Sequence, residues 1–193
     1  HVDIATWGID RVAKGTLEVK PMIVEHPVKF AGGTPQTRDR YNTATRFEIS
    51  VRDPSGVELV ISSAARNGIL FEGDGGKLFV NRGTLAGAAV DELKTRPLPD
   101  GAINEVFKGR DVLDKTPGFD SLAHVENFFL SARERVEPIS DVHSLHEALT
   151  TCHLAGIAAR LDQSLRWDLE YEAIIENQLA ASMVGRERRV GFE

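Results

Sequence analysis

From Arg46 to Arg52 apolar and polar residues alternate without a break. Phe47, Ile49 and Val51 take one parity, and Arg46, Glu48, Ser50 and Arg52 take the other. Successive side chains of a strand point to opposite faces, so this run dictates a strand with one buried face and one wet face. Asp53-Pro54-Ser55-Gly56 follows as a turn, and residues 57–62 return as a partner strand. A hairpin of this kind needs an antiparallel sheet with cover on its apolar side. The face carrying Arg46, Glu48, Ser50 and Arg52 is either solvated or covered by another subunit.

The neighbouring segments extend this pattern. Residues 16–24 alternate well enough for a strand, with Pro21 marking an edge or a bulge. Residues 29–40 contain Gly32-Gly33-Thr34-Pro35 and read as a loop. Asn67-Gly68 marks a turn, and 69–72 and 77–81 read as short strands about Gly73-Asp74-Gly75-Gly76. Beyond Gly87 the character turns helical. Short helices are expected over 90–94 and 102–107. Leu122, Val125, Phe128, Phe129 and Ala132 recur at three-to-four spacing, which predicts an amphipathic helix over 120–135 with that set inward; Pro138 lies just past its end. Ser144 and Glu147 form a capping-box pattern for the next helix, whose inner stripe is Leu145, Ala148, Leu149, Cys152 and Ala159. Asp168 is expected to cap a last helix with Ile174, Ile175 and Leu179 inward, and residues 186–189 form a basic tail. Strands followed by helices define an α+β fold: an open, mainly antiparallel sheet with helices packed on one face. The 193 residues suit one domain, 1–193.

Several chemistries are disfavoured at once. A net charge of −6 repels phosphate backbones, so no nucleic-acid partner is expected. No apolar run approaches the roughly 20 residues of a membrane helix, so no membrane partner is expected. Cys152 is the one cysteine, which excludes an internal disulfide and a multi-thiolate cage; its place on an apolar stripe suits a buried, inert thiol. Gly73-Asp74-Gly75-Gly76 is the nearest approach to a dinucleotide-binding turn. Leu78 stands where the third glycine belongs and a strand follows, so a hairpin is the better account. No P-loop pattern occurs, and no cofactor is expected in this chain. His143, His146 and His153 match no zinc spacing, and a helix that happens to carry histidines explains them without a metal. His146 facing a cleft could bind a hydroxyl. Val2, Ala5 and Ile9 share a helical face near Trp7, like the end of a helix begun upstream. His1 and Asp3 on that helix read either as plain surface beside a trapped tryptophan or as groups that bind or deprotonate a hydroxyl.

Asp3-Ile4-Ala5-Thr6-Trp7-Gly8 resembles the segment joining the two domains of the glucose–fructose oxidoreductase / inositol dehydrogenase / MocA family, in the style of a planctomycete-like bacterial subgroup. The likeness continues through Tyr41-Asn42-Thr43, Asn67-Gly68-Ile69-Leu70-Phe71-Glu72-Gly73 and Phe79-Val80-Asn81-Arg82-Gly83. It runs on through His124-Val125-Glu126-Asn127-Phe128, Pro138-Ile139-Ser140-Asp141-Val142, Cys152-His153-Leu154-Ala155-Gly156-Ile157-Ala158 and Leu165-Arg166-Trp167-Asp168. The resemblance implies a parent oxidoreductase whose N-terminal Rossmann domain binds NAD or NADP, with substrates among sugars and cyclitols. It implies that this chain is the C-terminal substrate-binding and oligomerisation domain, without that Rossmann domain and inactive alone. The family's catalytic histidine would fall one residue before His1, so His1 matches the second member of a His-His pair and no catalytic residue is assigned here. Asp3 matches the acidic residue that contacts substrate hydroxyls. His146 matches a histidine usually followed by arginine, where this chain has Glu147. The expected partners are the chain's own Rossmann domain, a sugar-like small molecule, and a second copy through the open sheet face. The rival readings are a stand-alone carbohydrate-binding module and a structural assembly module.

Overall fold

The computed structural model describes residues 1–9, 14–37, 39–100, 102, 121–185 and 191. It divides into two compact units, residues 1–67 with 147–193, and residues 68–146.

The first unit opens with α1 (Val2–Trp7) and is built on a five-stranded sheet. Its strands are β1 (Thr16–Glu25), β4 (Arg46–Arg52), β5 (Glu58–Ser62), β9 (Leu165–Asp168) and β10 (Ala173–Ile175). They lie in the order β10-β9-β1-β4-β5, and every neighbouring pair is antiparallel. The predicted hairpin is β4–β5, in register from Glu48↔Ser62 to Arg52↔Glu58. Asp53 closes its turn. One carboxylate oxygen accepts the Ser55 N–H at 2.9 Å, the Ser55 hydroxyl at 2.6 Å and the Val57 N–H at 3.0 Å. Of the two readings of Pro21, the bulge is the one found: the β1–β4 register shifts between Pro21 and Ile23. β1 is central, but β9 pairs only with Thr16–Val19, so Pro21 interrupts no ladder on that side.

The apolar face of this sheet carries Leu17, Val19, Ile49, Val51, Leu165 and Trp167. The helix α4 (Val142–Leu161) covers it with Leu154, Ala155, Ile157, Ala158 and Ala159. Its run of alanines lets the helix lie close to the strands. The opposite face is polar. Arg166, Glu18, Arg52 and Glu58 stand in one row across β9, β1, β4 and β5, alternating in sign. Ser50 on this face donates a hydrogen bond to Glu58. That bond above all, and the Arg52 guanidinium with it, hold the Glu58 carboxyl below the usual carboxylate range against an opposing effect of desolvation.

Two expectations in this unit, and one about where α4 starts and which face it buries, are corrected. The stretch read as a loop contains a minimal hairpin, β2 (Phe30–Ala31) and β3 (Thr34–Pro35). Gly32 and Gly33 have φ of 54° and 73°, the two positive values that a type I′ turn requires. Asp168 caps no helix: it accepts the Glu170 and Tyr171 N–H groups at 2.9 Å in the turn that leads to β10. An aspartate serves a tight turn by the same bonds that serve a helix start. The β-branched Ile174 and Ile175 then pair with Trp167 and Arg166 as a strand. The helix here is the single turn α5 (Gln178–Ala181), capped by Asn177 through a 3.0 Å bond from the Ala180 N–H. Finally, α4 begins at Val142, three residues before the start that a Ser144 cap would give, because Asp141 accepts the His143 and Ser144 N–H groups at 2.9 Å. Its inner face holds Ala148, Thr151 and Leu154, while Leu145, Leu149 and Cys152 are exposed.

The second unit contains a three-stranded antiparallel sheet, β6 (Ile69–Gly73), β7 (Gly76–Val80) and β8 (Leu85–Gly87). Asp74-Gly75 is the hairpin turn that the sequence indicated; β8 had no periodicity to show, being three residues long. The helix expected over 90–94 is α2 (Ala88–Glu92). That expected over 102–107 lies outside the described residues apart from Ala102, as does the basic tail over 186–189. The long amphipathic helix is α3 (Ser121–Glu134), but its facing is the reverse of that expected. Asn127 and Ser131 are buried, and Val125, Phe128, Phe129 and Ala132 are exposed. The Asn127 side-chain oxygen accepts the Ile139 N–H at 3.1 Å, tying the segment after the helix back onto it, while its Nδ2 and the Ser131 hydroxyl are buried with no hydrogen-bond partner among the described residues. Among the described residues no helix is long and apolar enough to cross a membrane.

Candidate functional site

α1 is one and a half turns, anchored by Ala5, which is buried between half-buried Val2 and Ile9. Gly8 ends it, and its N–H bonds the Ile4 carbonyl at 3.1 Å. His1 and Asp3 are both exposed. Two residues apart on a helix, they project to different sides and do not converge on one point. Trp7 is 62% exposed, which replaces the trapped tryptophan of the plain reading with a presented one. His146 is exposed on the part of α4 that belongs to the second unit.

Among the described residues no three His, Cys, Asp or Glu side chains come close enough to hold a metal ion. Cys152 is exposed and not buried as expected. Desolvation nevertheless pushes its thiol up, which keeps it protonated at neutral pH and a poor nucleophile. Gly73–Gly76 closes the β6–β7 hairpin and opens no helix, so this run does not fit the pyrophosphate of a dinucleotide.

A second feature had no counterpart in the sequence reading. The Gly32-Gly33 turn stands over the C-terminal end of α4 and encloses a cleft of about 190 Å³. Val24, Phe30 and Leu161 give it apolar walls, and His26, Arg160 and Asp162 give it polar ones. The His26 ring packs against Phe30 with centroids 4.3 Å apart and planes tilted by 39°. Its Nδ1 lies 3.3 Å from the Asn42 carbonyl oxygen, and its Nε2 lies 3.1 Å from that of Ala159. A neutral imidazole carries one N–H, so it donates to one of these two carbonyls, tying the residue after β1 either to the 42 region or to the last turn of α4. Asp162 sits at φ 51°, a left-handed conformation uncommon outside glycine. The two elements of this cleft are far apart in sequence and share no motif, which is why no pattern announced it.

No family model matches this chain, and no curated protein or solved structure matches it either.

Proposed function

We propose that this chain is the substrate-binding and oligomerisation domain of an NAD(P)-dependent sugar or cyclitol oxidoreductase. The observation that carries the reading is the ordered series of segments resembling that family, with Asp3 standing at the substrate-side acidic position on an exposed helix face. Oxidation of an alcohol needs a base for the hydroxyl proton and an acceptor for hydride. Neither is assigned to this chain; the hydride acceptor belongs to the Rossmann domain proposed to precede it, and the catalytic histidine that the resemblance implies falls one residue before His1. The part left to Asp3 is to accept hydrogen bonds from neighbouring hydroxyls and so fix the reacting carbon. His1, on the same unit as Asp3, is a further group proposed to contact substrate hydroxyls, and His146 is proposed separately as a hydroxyl-binding group on the second unit.

In the full-length parent, Asp3→Ala should lower kcat/KM for the sugar about 10- to 100-fold, the effect of losing one or two hydrogen bonds to a charged group. The KM for the nicotinamide cofactor should stay as it was. Steady-state kinetics with each substrate varied in turn reads both, and a change confined to the cofactor would refute the role given to Asp3.

The polar sheet face is the proposed contact between copies. A two-fold axis parallel to the strands turns the Arg166–Glu18–Arg52–Glu58 row end for end, which lays each charge against its opposite. Met22 and Val60, each about half exposed at 53% and 51%, supply apolar area on the unit's surface. A sheet-to-sheet contact should bury about 1,600 Å² in total. Light scattering should therefore return a dimer or tetramer, and Arg52→Glu should dissociate it. A monomer persisting at high micromolar concentration would count against this face as an interface.

A further inference from the structure

We propose that the cleft between the Gly32-Gly33 turn and the end of α4 binds a small, neutral, polyhydroxylated molecule, one sugar or cyclitol ring in size, at a site separate from His1 and Asp3. The argument rests on the cleft's own chemistry. Arg160 in the last turn of α4 and Asp162 just past its end both line the cleft, and neither makes a hydrogen bond or ion pair among the described residues. They do not neutralise each other, and each keeps its full bonding capacity for a ligand. Arg160 only donates and Asp162 only accepts, and their charges sum to zero. A ligand must then both accept and donate while carrying no net charge, which is the property of adjacent hydroxyl groups. Val24, Phe30 and Leu161 suit the C–H face of such a ring.

Size and rigidity agree with that class. A volume of about 190 Å³ falls below the roughly 300–1,000 Å³ of pockets for drug-sized ligands, so it fits one ring and not a chain of them. The walls are held in advance. His26 lies between two backbone carbonyls and donates to one of them, and Gln163 is tied down by a 3.1 Å bond from the Asn177 amide. The left-handed Asp162 ends α4 in a Schellman-type turn, with the Gln163 N–H bonding the Ala158 carbonyl at 3.3 Å, which fixes this wall of the cleft.

The test is an amide-shift titration of the whole chain with glucose and with myo-inositol. Saturable shifts are expected at Gly32, Gly33 and Gln163 for at least one of the two. Arg160→Met and Asp162→Asn should each weaken binding about tenfold. Asparagine tolerates the left-handed conformation, so the second variant keeps the local backbone. Asp3→Ala should leave the cleft shifts unchanged, so this inference and the substrate reading of Asp3 fail separately. Absence of saturable shifts, insensitivity to both cleft variants, or loss of the shifts in Asp3→Ala would overturn it.

Discussion

Leu154→Ala should lower the unfolding free energy by about 3–4 kcal/mol. Leu154 is 1% exposed and sits at the centre of the helix–sheet contact, among Leu17, Val19, Ile49, Val51 and Trp167 of the core cluster. Truncation removes the transfer energy of its side chain and leaves a cavity. Little can collapse into that space. Its helical neighbours in the cluster, Ala155 and Ala158, are too short to reach across, and the strands are locked by ladders on both sides. The cost therefore belongs in the middle to upper part of the range for buried leucines. Leu149→Ala on the same helix gives the control, because Leu149 is 47% exposed and should cost under about 1 kcal/mol. Urea denaturation compares the two, and equal losses would mean that the inner face of α4 had been misassigned.

That face is where sequence reasoning met its limit. Strands β4 and β5 were legible because period two leaves a single choice: Ile49 and Val51 share a side and Ser50 takes the other. A helix offers a continuum of faces, and apolar residues in α3 and α4 are frequent enough to suggest the wrong one. Leu145, Leu149 and Cys152 looked like the core of α4, yet Thr151 is fully buried instead. Its hydroxyl donates to the Glu147 carbonyl at 3.1 Å, so burying it strands no donor, and small Thr and Ala side chains bring the helix closer to the sheet. In α3 four apolar residues of the pattern, Val125, Phe128, Phe129 and Ala132, are exposed while Asn127 and Ser131 are buried. The two candidate sites divide in the same way. Asp3 lies in a short segment with recognisable neighbours. The cleft joins His26 to the Ala159 carbonyl across 133 positions, a meeting that only the folded chain creates.

The second unit offers an equally sharp test in Gly87→Ala, expected to cost about 3 kcal/mol or more. Gly87 pairs with Leu78 at the end of the β7–β8 ladder and immediately precedes α2. Its φ is 144°, which L side chains rarely adopt. A Cβ there would also run into the carbonyl oxygen of Lys77, with the Lys77 carbonyl carbon and Leu78 Cα each at 3.2 Å. These are backbone atoms of a paired strand and have no rotamer to escape into. The strain can be relieved only by parting β8 from β7, which removes ladder bonds from a sheet of three strands. Gly76→Ala separates the two contributions. Gly76 has φ 121° in the same sheet but nothing within 4 Å of the added carbon, so it should cost only the backbone term of about 1–2 kcal/mol. Amide exchange at Phe79 and Val80 reports on this sheet directly, and exchange at Val19 and Val51 reports on the other unit. Gly87→Ala should speed exchange at the first pair well beyond the effect of Gly76→Ala. If the two variants matched, the close approach of β8 to Lys77 would not exist in the folded protein.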